Sequence, residues 1–336
     1  MRHRPGIHLG ACTVLAALLA GCGGSSTTPT TVAPTTRPSP TTVPRRGTPL
    51  RFGAPHALSP GTGLVSVSCG SATSCIALDA VGRAYRSDGT TWSGPVPATG
   101  QALGPGSLSV SCSGPSACMA VTTAASQVVA WNGQVWSVPS TLDGATGLEA
   151  VGCAPTGYCA SVDSEGNAFA FAGRSWQATS GDWGSVSSIS CVSASFCMSV
   201  SGGISQWNGA QWSMPDPFTG TSSFSGVSCA SVTFCAAVDL GGEVLQWNGQ
   251  SWSSAVRVET GQVSATSSGI ALTGVSCPTA TFCTAVDNSG GVLEWSNGTW
   301  TRFDVDGTEQ LDAVSCPTAS YCVAVDRGGN VLVGTP

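Results

Sequence analysis

The chain contains no lysine and only three histidines, His3, His8 and His56, in 336 residues. Charged residues of all kinds make up 9% of it. Beyond residue 22 no apolar run reaches the roughly 18 residues that a membrane-spanning helix requires. These absences exclude a helical span in that part of the chain. They also mean that His56 is the only histidine, and that no lysine is present, for a catalytic or metal site beyond residue 22.

Positive charge is scarce where negative charge is concentrated. All 18 aspartates and glutamates lie beyond residue 78, whereas only seven of the 12 arginines lie beyond residue 48. Seven positive charges against 18 negative charges give a net charge of −11 for that part of the chain. Such an acidic domain disfavours a nucleic acid or an anionic membrane surface as its partner.

Residues 1–22 have the pattern of a targeting segment. Arg2 and Arg4 precede an apolar stretch, residues 11–20, which runs into residues 19–22, Leu-Ala-Gly-Cys. These four residues resemble the bacterial lipoprotein lipobox. The resemblance implies that Cys22 becomes the lipid-modified first residue of a mature chain anchored to the bacterial cell membrane. An ordinary signal peptide with an incidental cysteine is the alternative, and both interpretations place the protein outside the cytoplasm.

Residues 23–48 are rich in serine, threonine and proline and contain no large apolar side chain. This composition cannot bury a core and favours a disordered, extended spacer between the anchor and the domain. An O-glycosylated stalk stays open as a second interpretation of the same composition.

Fourteen of the 16 cysteines form seven pairs with five residues between the members of each pair, and successive pairs begin 38 to 48 residues apart. A period near 40 with strand-like content is typical of propeller blades. Outside the cytoplasm, tight and even pairs indicate local disulfides, whereas zinc sites more often have shorter gaps and recruit histidine. The predicted disulfides are Cys69–Cys75, Cys112–Cys118, Cys153–Cys159, Cys191–Cys197, Cys229–Cys235, Cys277–Cys283 and Cys316–Cys322.

Each repeat contains four short predicted strands. The first includes Val-Ser-Cys, as at residues 227–229, and the second runs through Ala-Val-Asp, as at residues 237–239. A glycine turn leads to a third strand that ends in an aromatic residue, and Asn-Gly turns the chain into the fourth. Asn-Gly favours a two-residue type I′ hairpin loop, in which Trp247 would lie opposite Gln250.

Tryptophans flank the Asn-Gly turns in pairs, at positions 131/136, 207/212, 247/252 and 295/300. Each pair is predicted to lie on one face of its hairpin, either packed between blades or exposed for stacking on a sugar ring. The regular recurrence of the pairs favours packing.

The last repeat lacks a fourth strand before Pro336, while residues 50–55 match the fourth-strand pattern of residues 91–95. Phe52 stands in the place of Trp92. We therefore expect the N-terminal strand to complete the last blade, because an open array would leave exposed edges. The prediction is an all-β, seven-bladed β-propeller with four antiparallel strands per blade, over residues 49–336.

The repeated Val-Ser-Cys, Cys-x-Ala-Val-Asp and Trp-Asn-Gly motifs resemble those of bacterial secreted and lipoprotein propellers of the actinobacterial type. The resemblance covers nearly all of the predicted mature chain. It implies the fold and little chemistry, because such propellers carry many unrelated functions.

Propellers generally bind ligands on the face that carries the second-to-third strand turns and the connectors between blades. The connectors vary most in length at residues 94–106 and 253–273, and variable loops on a rigid scaffold often carry binding residues. This face is the predicted binding face. Its candidate residues are the turn aspartates Asp79, Asp163, Asp239, Asp287 and Asp326 and the connector acids Glu149, Asp182 and Asp312.

The turn aspartates have two interpretations. They could form a ring of carboxylates for cations or sugar hydroxyls, or they could hydrogen-bond their own turns, for which a following glycine supplies the positive φ; the second is favoured. The connector at residues 304–309 has a faint likeness to a calcium loop but lacks its twelve-residue ligand pattern. We expect no bound metal and no cofactor.

The anchor, the spacer and a rigid domain poor in catalytic groups predict a monomeric, non-catalytic binding or scaffolding module. Its expected partner is a protein or a cell-envelope glycan. The alternative is a glycosidase or lyase that uses two carboxylates on the variable-loop face. A structural surface protein without a specific ligand is a third interpretation.

Overall fold

The computed structural model describes residues 48–97, 106, 108–179, 181, 184–216, 218, 222–259, 269–296 and 298–336. The predicted signal segment with Cys22, the linker through residue 47, and Asp182 lie outside these ranges. Within them, no helix combines the length and the apolar character needed to cross a membrane.

Seven antiparallel sheets follow one another as the blades of a β-propeller, which confirms the predicted fold. The last blade is completed by the first two strands of the chain, β1 (Arg51–Phe52) and β2 (His56–Ala57). Blade 1 consists of β3 (Leu64–Ser71), β4 (Ser74–Asp79), β5 (Arg83–Ser87) and β6 (Trp92–Pro97). Blade 2 consists of β7 (Leu108–Gly114), β8 (Ala117–Thr122), β9 (Gln127–Trp131) and β10 (Ser140–Thr141), with a 3-10 turn at Ala124–Ser126 between β8 and β9.

The remaining blades repeat this order. Blade 3 consists of β11 (Leu148–Cys153), β12 (Cys159–Asp163), β13 (Ala168–Phe171) and β14 (Trp176–Thr179). Blade 4 has β15 (Ser188–Ser193), β16 (Phe196–Val200) and β17 (Ile204–Trp207), and single bridges to Trp212 and Asp216 hold its fourth position. Blade 5 consists of β18 (Phe224–Ser231), β19 (Phe234–Asp239), β20 (Glu243–Trp247) and β21 (Val256–Arg257). Blade 6 consists of β22 (Leu272–Thr279), β23 (Phe282–Asp287), β24 (Gly291–Ser296) and β25 (Thr299–Asp304), and blade 7 adds β26 (Leu311–Thr318), β27 (Tyr321–Asp326) and β28 (Asn330–Thr335).

The core lies between neighbouring blades. The second strands are almost continuously apolar because each is covered on both sides, and all six residues of β4 are buried. At the junction of blades 1 and 2, for example, Ile76 and Leu78 pack against Val110, Ala120 and Val129. The hydrophobic effect therefore holds blades face to face around the ring.

All seven predicted disulfides are present. The two cysteines of a pair lie directly opposite each other on the first and second strands, as Cys69 and Cys75 do. Each bridge therefore closes one short loop within one blade. In the chain-entropy account such a loop contributes roughly 2 kcal/mol to stability.

The predicted closure of the ring is also confirmed. Arg51 and Phe52 pair with Thr335 and Gly334, and β2 extends the pairing along β28. The Phe52 ring covers Gly334 so closely that a Cβ at Gly334 would lie 2.8 Å from it. Most other blades carry an aromatic residue at the position of Gly334, where it pairs with a second aromatic residue across the hairpin. In blade 7 a glycine takes that position and faces the Phe52 ring.

The predicted two-residue hairpin loop is wrong for blade 5, although in blade 6 Ser296 pairs with Thr299 and leaves two residues between them. Trp247 lies opposite Trp252, and the Asn248 N–H donates to the Ser251 carbonyl, so the loop has four residues. The Asn248 side-chain oxygen accepts two backbone N–H groups of the loop at 2.9 Å each. This side-chain cap needs a positive φ only at Gly249, whereas a type I′ turn needs two.

The tryptophans of a pair are consequently direct neighbours across the hairpin. Their ring centroids are 5.5 Å apart in Trp131–Trp136 and 5.8 Å apart in Trp247–Trp252. The pairs belong to the hydrophobic clusters between blades, as the packing interpretation predicts.

Candidate binding face

The alternating strand directions give each end of the propeller its own kind of loop. One end, called the upper face below, carries the turns from second to third strands and the connectors between blades. The opposite end, the lower face, carries the disulfide-bridged loops and the hairpins between third and fourth strands. The first strand of every blade therefore runs from the upper face toward the lower face.

A cavity of about 760 Å³, called the central cavity, lies between the first strands of all seven blades. Ligand pockets commonly measure about 300–1,000 Å³. Ser185 of a connector and Arg327 of a second-to-third strand turn also line the cavity, so it extends to the upper face. The axis of the ring is thus a site large enough for a ligand.

Serines of the cavity lining link first strands of neighbouring blades at five of the seven junctions. Their hydroxyl oxygens accept backbone N–H groups because the innermost strand has no further strand to pair with. The donor–acceptor distances run from 2.9 to 3.3 Å. The serines and their donors are Ser66 with Val110, Ser68 with Cys112, Ser109 with Val151, Ser111 with Cys153, Ser188 with Val227, Ser228 with Cys277 and Ser315 with Cys69.

Glu149 and Asp312 stand at the upper end of the central cavity. Each occupies a bulge near the start of its strand, β11 or β26, and bulges redirect side chains. The Glu149 carboxylate accepts the Ser185 hydroxyl at 2.8 Å and the Val186 N–H at 3.0 Å. Asp312 lies 3.3 Å from Arg327, whose side chain is 63% exposed. The structure thus brings two of the predicted connector acids to one cavity.

The five turn aspartates lie elsewhere, fully buried beneath the upper face and outside the lining of the central cavity. In blade 5, one oxygen of Asp239 accepts the Gly241 and Glu243 N–H groups at 2.9 and 2.8 Å. The other oxygen accepts the Ser222 N–H of the preceding connector at 2.8 Å. These contacts are those of the turn interpretation, and in three blades a further hydrogen bond ties the turn to the connector before it.

Two further acids of the connectors were not singled out from the sequence. Glu259 and Asp306 occupy the same place in their connectors as Ser59 does before blade 1. The backbone N–H of each of these three residues donates to the carbonyl of a turn glycine in the preceding blade. The accepting glycine is Gly242 for Glu259, Gly290 for Asp306 and Gly329 for Ser59. The Ser59 hydroxyl donates to the Asp79 carboxylate at 3.0 Å. At the other two junctions a carboxyl group replaces that hydroxyl. It lies at the second residue after the fourth strand, which is the position in the sequence that would have revealed it.

Glu259 is 4% exposed and faces an ionic cluster. Arg302 Nε donates to Asp287 at 2.7 Å and lies 3.0 Å from Glu259 Oε1, which accepts no hydrogen bond from any described residue. Burial raises the pKa of Glu259 to about 7; Arg302 opposes the rise and Asp287 adds to it.

Asp306 contacts the buried Asp326. Burial raises the pKa of Asp306 to about 7, with further contributions from its hydrogen bond to Asp326, from the Asp326 charge and from Glu309. A buried carboxyl group beside a second carboxylate disfavours its own ionised form, so Asp306 holds its proton well above its ordinary pKa range.

No protein-family model and no curated protein matches the chain. Its resemblances are to solved structures. YCF48 bound to D1 peptide has a TM-score of 0.66 and 13% identity, over 86% of this chain and 98% of that one. The WD40 repeats of RRP9 have a TM-score of 0.70 and 9% identity, over 87% of this chain and 99% of that one. A catalytically inactive virginiamycin B lyase from Staphylococcus aureus with quinupristin has a TM-score of 0.69 and 9% identity, over 85% of this chain and 99% of that one. At these identities the chain shares the propeller fold with them.

Proposed function

We propose that the chain is an extracytoplasmic binding module that holds a protein partner on its upper face and is tethered to the bacterial membrane through lipidated Cys22. The central cavity carries the proposal. It is large, it reaches the upper face, and its walls are strands fixed by interblade hydrogen bonds and disulfides. A rigid, preformed site is what a binding module needs to limit the entropic cost of association.

Two of the similar structures were determined with a ligand, one with a peptide and one with quinupristin. They support a propeller as a scaffold for binding. Seven disulfides are also consistent with an oxidising compartment outside the cytoplasm.

The tether would join the propeller at its lower rim. Leu50 precedes β1, its N–H donates to Glu294 at 2.9 Å, and Arg51 pairs with Thr335 near the lower end of blade 7. A membrane anchor attached through residues 23–48 would therefore hold the domain by its lower side. The upper face would remain accessible to a partner.

A carbohydrate-active enzyme is the second candidate. Glu149 and Asp312 line one cavity, and glycosidases use two carboxyl groups as acid and nucleophile or base. An envelope glycan would then be a substrate instead of a partner.

The test uses residues 23–336, secreted with their disulfides formed, and carrying a photo-crosslinking amino acid at one of two exposed sites. Ser185 lines the central cavity on the upper face, and Gln250 lies in a lower-face hairpin. A protein of the native envelope that crosslinks at Ser185 and not at Gln250 supports the proposal. Crosslinking at Gln250 alone overturns it. Polysaccharide turnover that Glu149→Gln or Asp312→Asn abolishes would replace the binding module with the enzyme.

A further inference from the structure

The negative charge of the domain is confined to one side. Among the described residues, every carboxylate except Asp88 and Glu294 lies in an upper turn, in a connector or at the adjoining strand ends. That leaves 15 carboxyl groups on the upper face against four of the seven described arginines, a formal net charge of −11 when every carboxyl group is counted as ionised. The rest of the described domain carries two carboxylates and three arginines, a net charge of +1.

The four arginines of the upper face are already engaged. They are Arg83 with Asp79, Arg257 with Glu243, Arg302 with Asp287, Glu259 and Asp304, and Arg327 with Asp312. Glu149, Glu165 and Glu309 form no ion pair with any described residue. The uncompensated charge therefore includes the rim of the central cavity, where Glu149 stands.

The cavity walls carry a second kind of group. Ten serines line it, and seven of them accept a backbone N–H from the next blade. Within the described part of the chain none of these seven hydroxyls donates a hydrogen bond, whereas Ser185 and Ser225 do. A serine hydroxyl can donate one hydrogen bond and accept two. The cavity therefore offers a set of O–H donors below an acidic rim.

We propose that the central cavity takes a positively charged polypeptide segment of a partner protein, an inference that rests on the proposed function. Glu149 recognises basic side chains at the rim, and the serine hydroxyls donate to backbone carbonyls inside. An anionic ligand is repelled by the face. A peptide with basic side chains supplies both the cations and the acceptors, and charge complementarity speeds its approach.

The test measures binding of three synthetic peptides of equal length to residues 23–336. In these peptides serine alternates with arginine, glutamine or glutamate. The arginine peptide is expected to bind best, and its affinity to fall as salt rises from about 50 to 300 mM, because rim charges are screened. Glu149→Gln keeps one side-chain oxygen to accept the Ser185 and Val186 hydrogen bonds and removes one charge, and should weaken binding about fivefold. Gln250→Arg changes the net charge by the same amount on the lower face and should leave affinity unchanged.

Equal affinity for the arginine and glutamine peptides, or equal weakening by Glu149→Gln and Gln250→Arg, overturns the inference. So does preferential binding of the glutamate peptide or of an envelope glycan. If a native partner still crosslinks at Ser185 in any of these cases, the proposed function stands and only the cationic partner fails. Because Glu149→Gln could also loosen the connector at Ser185, Glu309→Gln in an exposed connector of the upper face serves as a second variant, expected to weaken binding in the same direction.

Discussion

At the scale of single residues, the Asp-x-x-Gly pattern predicted a turn, and the buried carboxylates make its hydrogen bonds. The sequence could not show their second partners. Ser222, Thr146 and Ser59 reach Asp239, Asp163 and Asp79 from connectors that have no motif of their own. Each partner lies 17 to 20 residues away along the chain, so only the folded backbone identifies it.

Asp239→Ala should destabilise the domain by about 2–4 kcal/mol. It removes three charge-assisted hydrogen bonds and leaves backbone N–H groups without acceptors in a buried site. Denaturant unfolding at neutral pH measures the loss. Asp216→Ala, which removes an exposed acid from the same face, should change stability by less than about 0.5 kcal/mol, and similar losses in the two variants would contradict the assigned role.

Asp306 should make stability fall as pH rises. Its pKa in the folded domain is about 7 and its ordinary value is 3.8, so above about pH 4 the unfolded chain releases a proton that the folded domain still holds. The unfavourable effect grows until about pH 7 and then stays constant. Asp306→Asn cannot ionise, and should raise the Tm by about 2 °C at pH 8, after allowance for solvent screening, with no gain at pH 4.

Melting curves of the wild type and of Asp306→Asn across that pH range test the sign. A gain at pH 4 that vanishes at pH 8 would show that the folded domain does not raise this pKa.

At the scale of strands, the Val-Ser-Cys motif predicted an inner strand, but its serine has a role that periodicity cannot show. The hydroxyl accepts an N–H of the next blade, as Ser228 does from Cys277. Blade 3 has Gly152 at this position, where a Cβ would lie 2.7 Å from the Ile189 carbonyl oxygen. The close approach of the backbones of blades 3 and 4 explains the glycine and interrupts the series of serine contacts there.

Ser228→Ala should lower stability by about 1–2 kcal/mol, because the Cys277 N–H loses its acceptor in a partly buried position. Chemical denaturation provides the measurement. Ser254→Ala, at an exposed serine near the lower hairpin of the same blade, is the matched control and should have little effect. Indistinguishable unfolding midpoints would mean that water replaces the hydroxyl at no cost.

At this scale the sequence could not predict two features, the register of the hairpin and which acids stand at the rim of the central cavity. Asn248 caps its loop through its side chain, which adds two residues to the predicted turn. Glu149 and Asp312 reach the cavity because each occupies a bulge, and a bulge leaves no trace in an alternating pattern. The cysteine spacing, in contrast, placed every disulfide correctly, because five intervening residues permit a direct cross-strand pair.

At the scale of the whole molecule, a period near 40 residues and an unmatched N-terminal strand were sufficient to predict the ring and its closure. The predicted binding face already included eight of the acids, because strand order places the turns and connectors at one end. The almost neutral charge of the opposite face, where two described carboxylates stand against three arginines, was not predicted.

Deleting residues 49–57 should lower the Tm by about 5–8 °C or prevent folding. The deletion removes the strand pairing to β28 and uncovers Gly334, and it leaves an open edge on blade 7. Differential scanning calorimetry of oxidised protein gives the comparison. Removal of residues 23–40, which lie in the predicted linker, is the control and should leave the Tm unchanged; an unchanged Tm in both deletions would rule out closure by this strand.

The position of β1 also determines how the domain responds to mechanical force. In a chain tethered through its N-terminus, tension enters the fold at Thr48 and reaches the short pairing of Arg51 and Phe52 with β28. The disulfides lie inside other hairpins and do not reinforce this contact. A pull on such a tether would therefore load the closing seam first. The ring would separate between β1 and β28 in blade 7 and open the central cavity before any blade is pulled out of the ring.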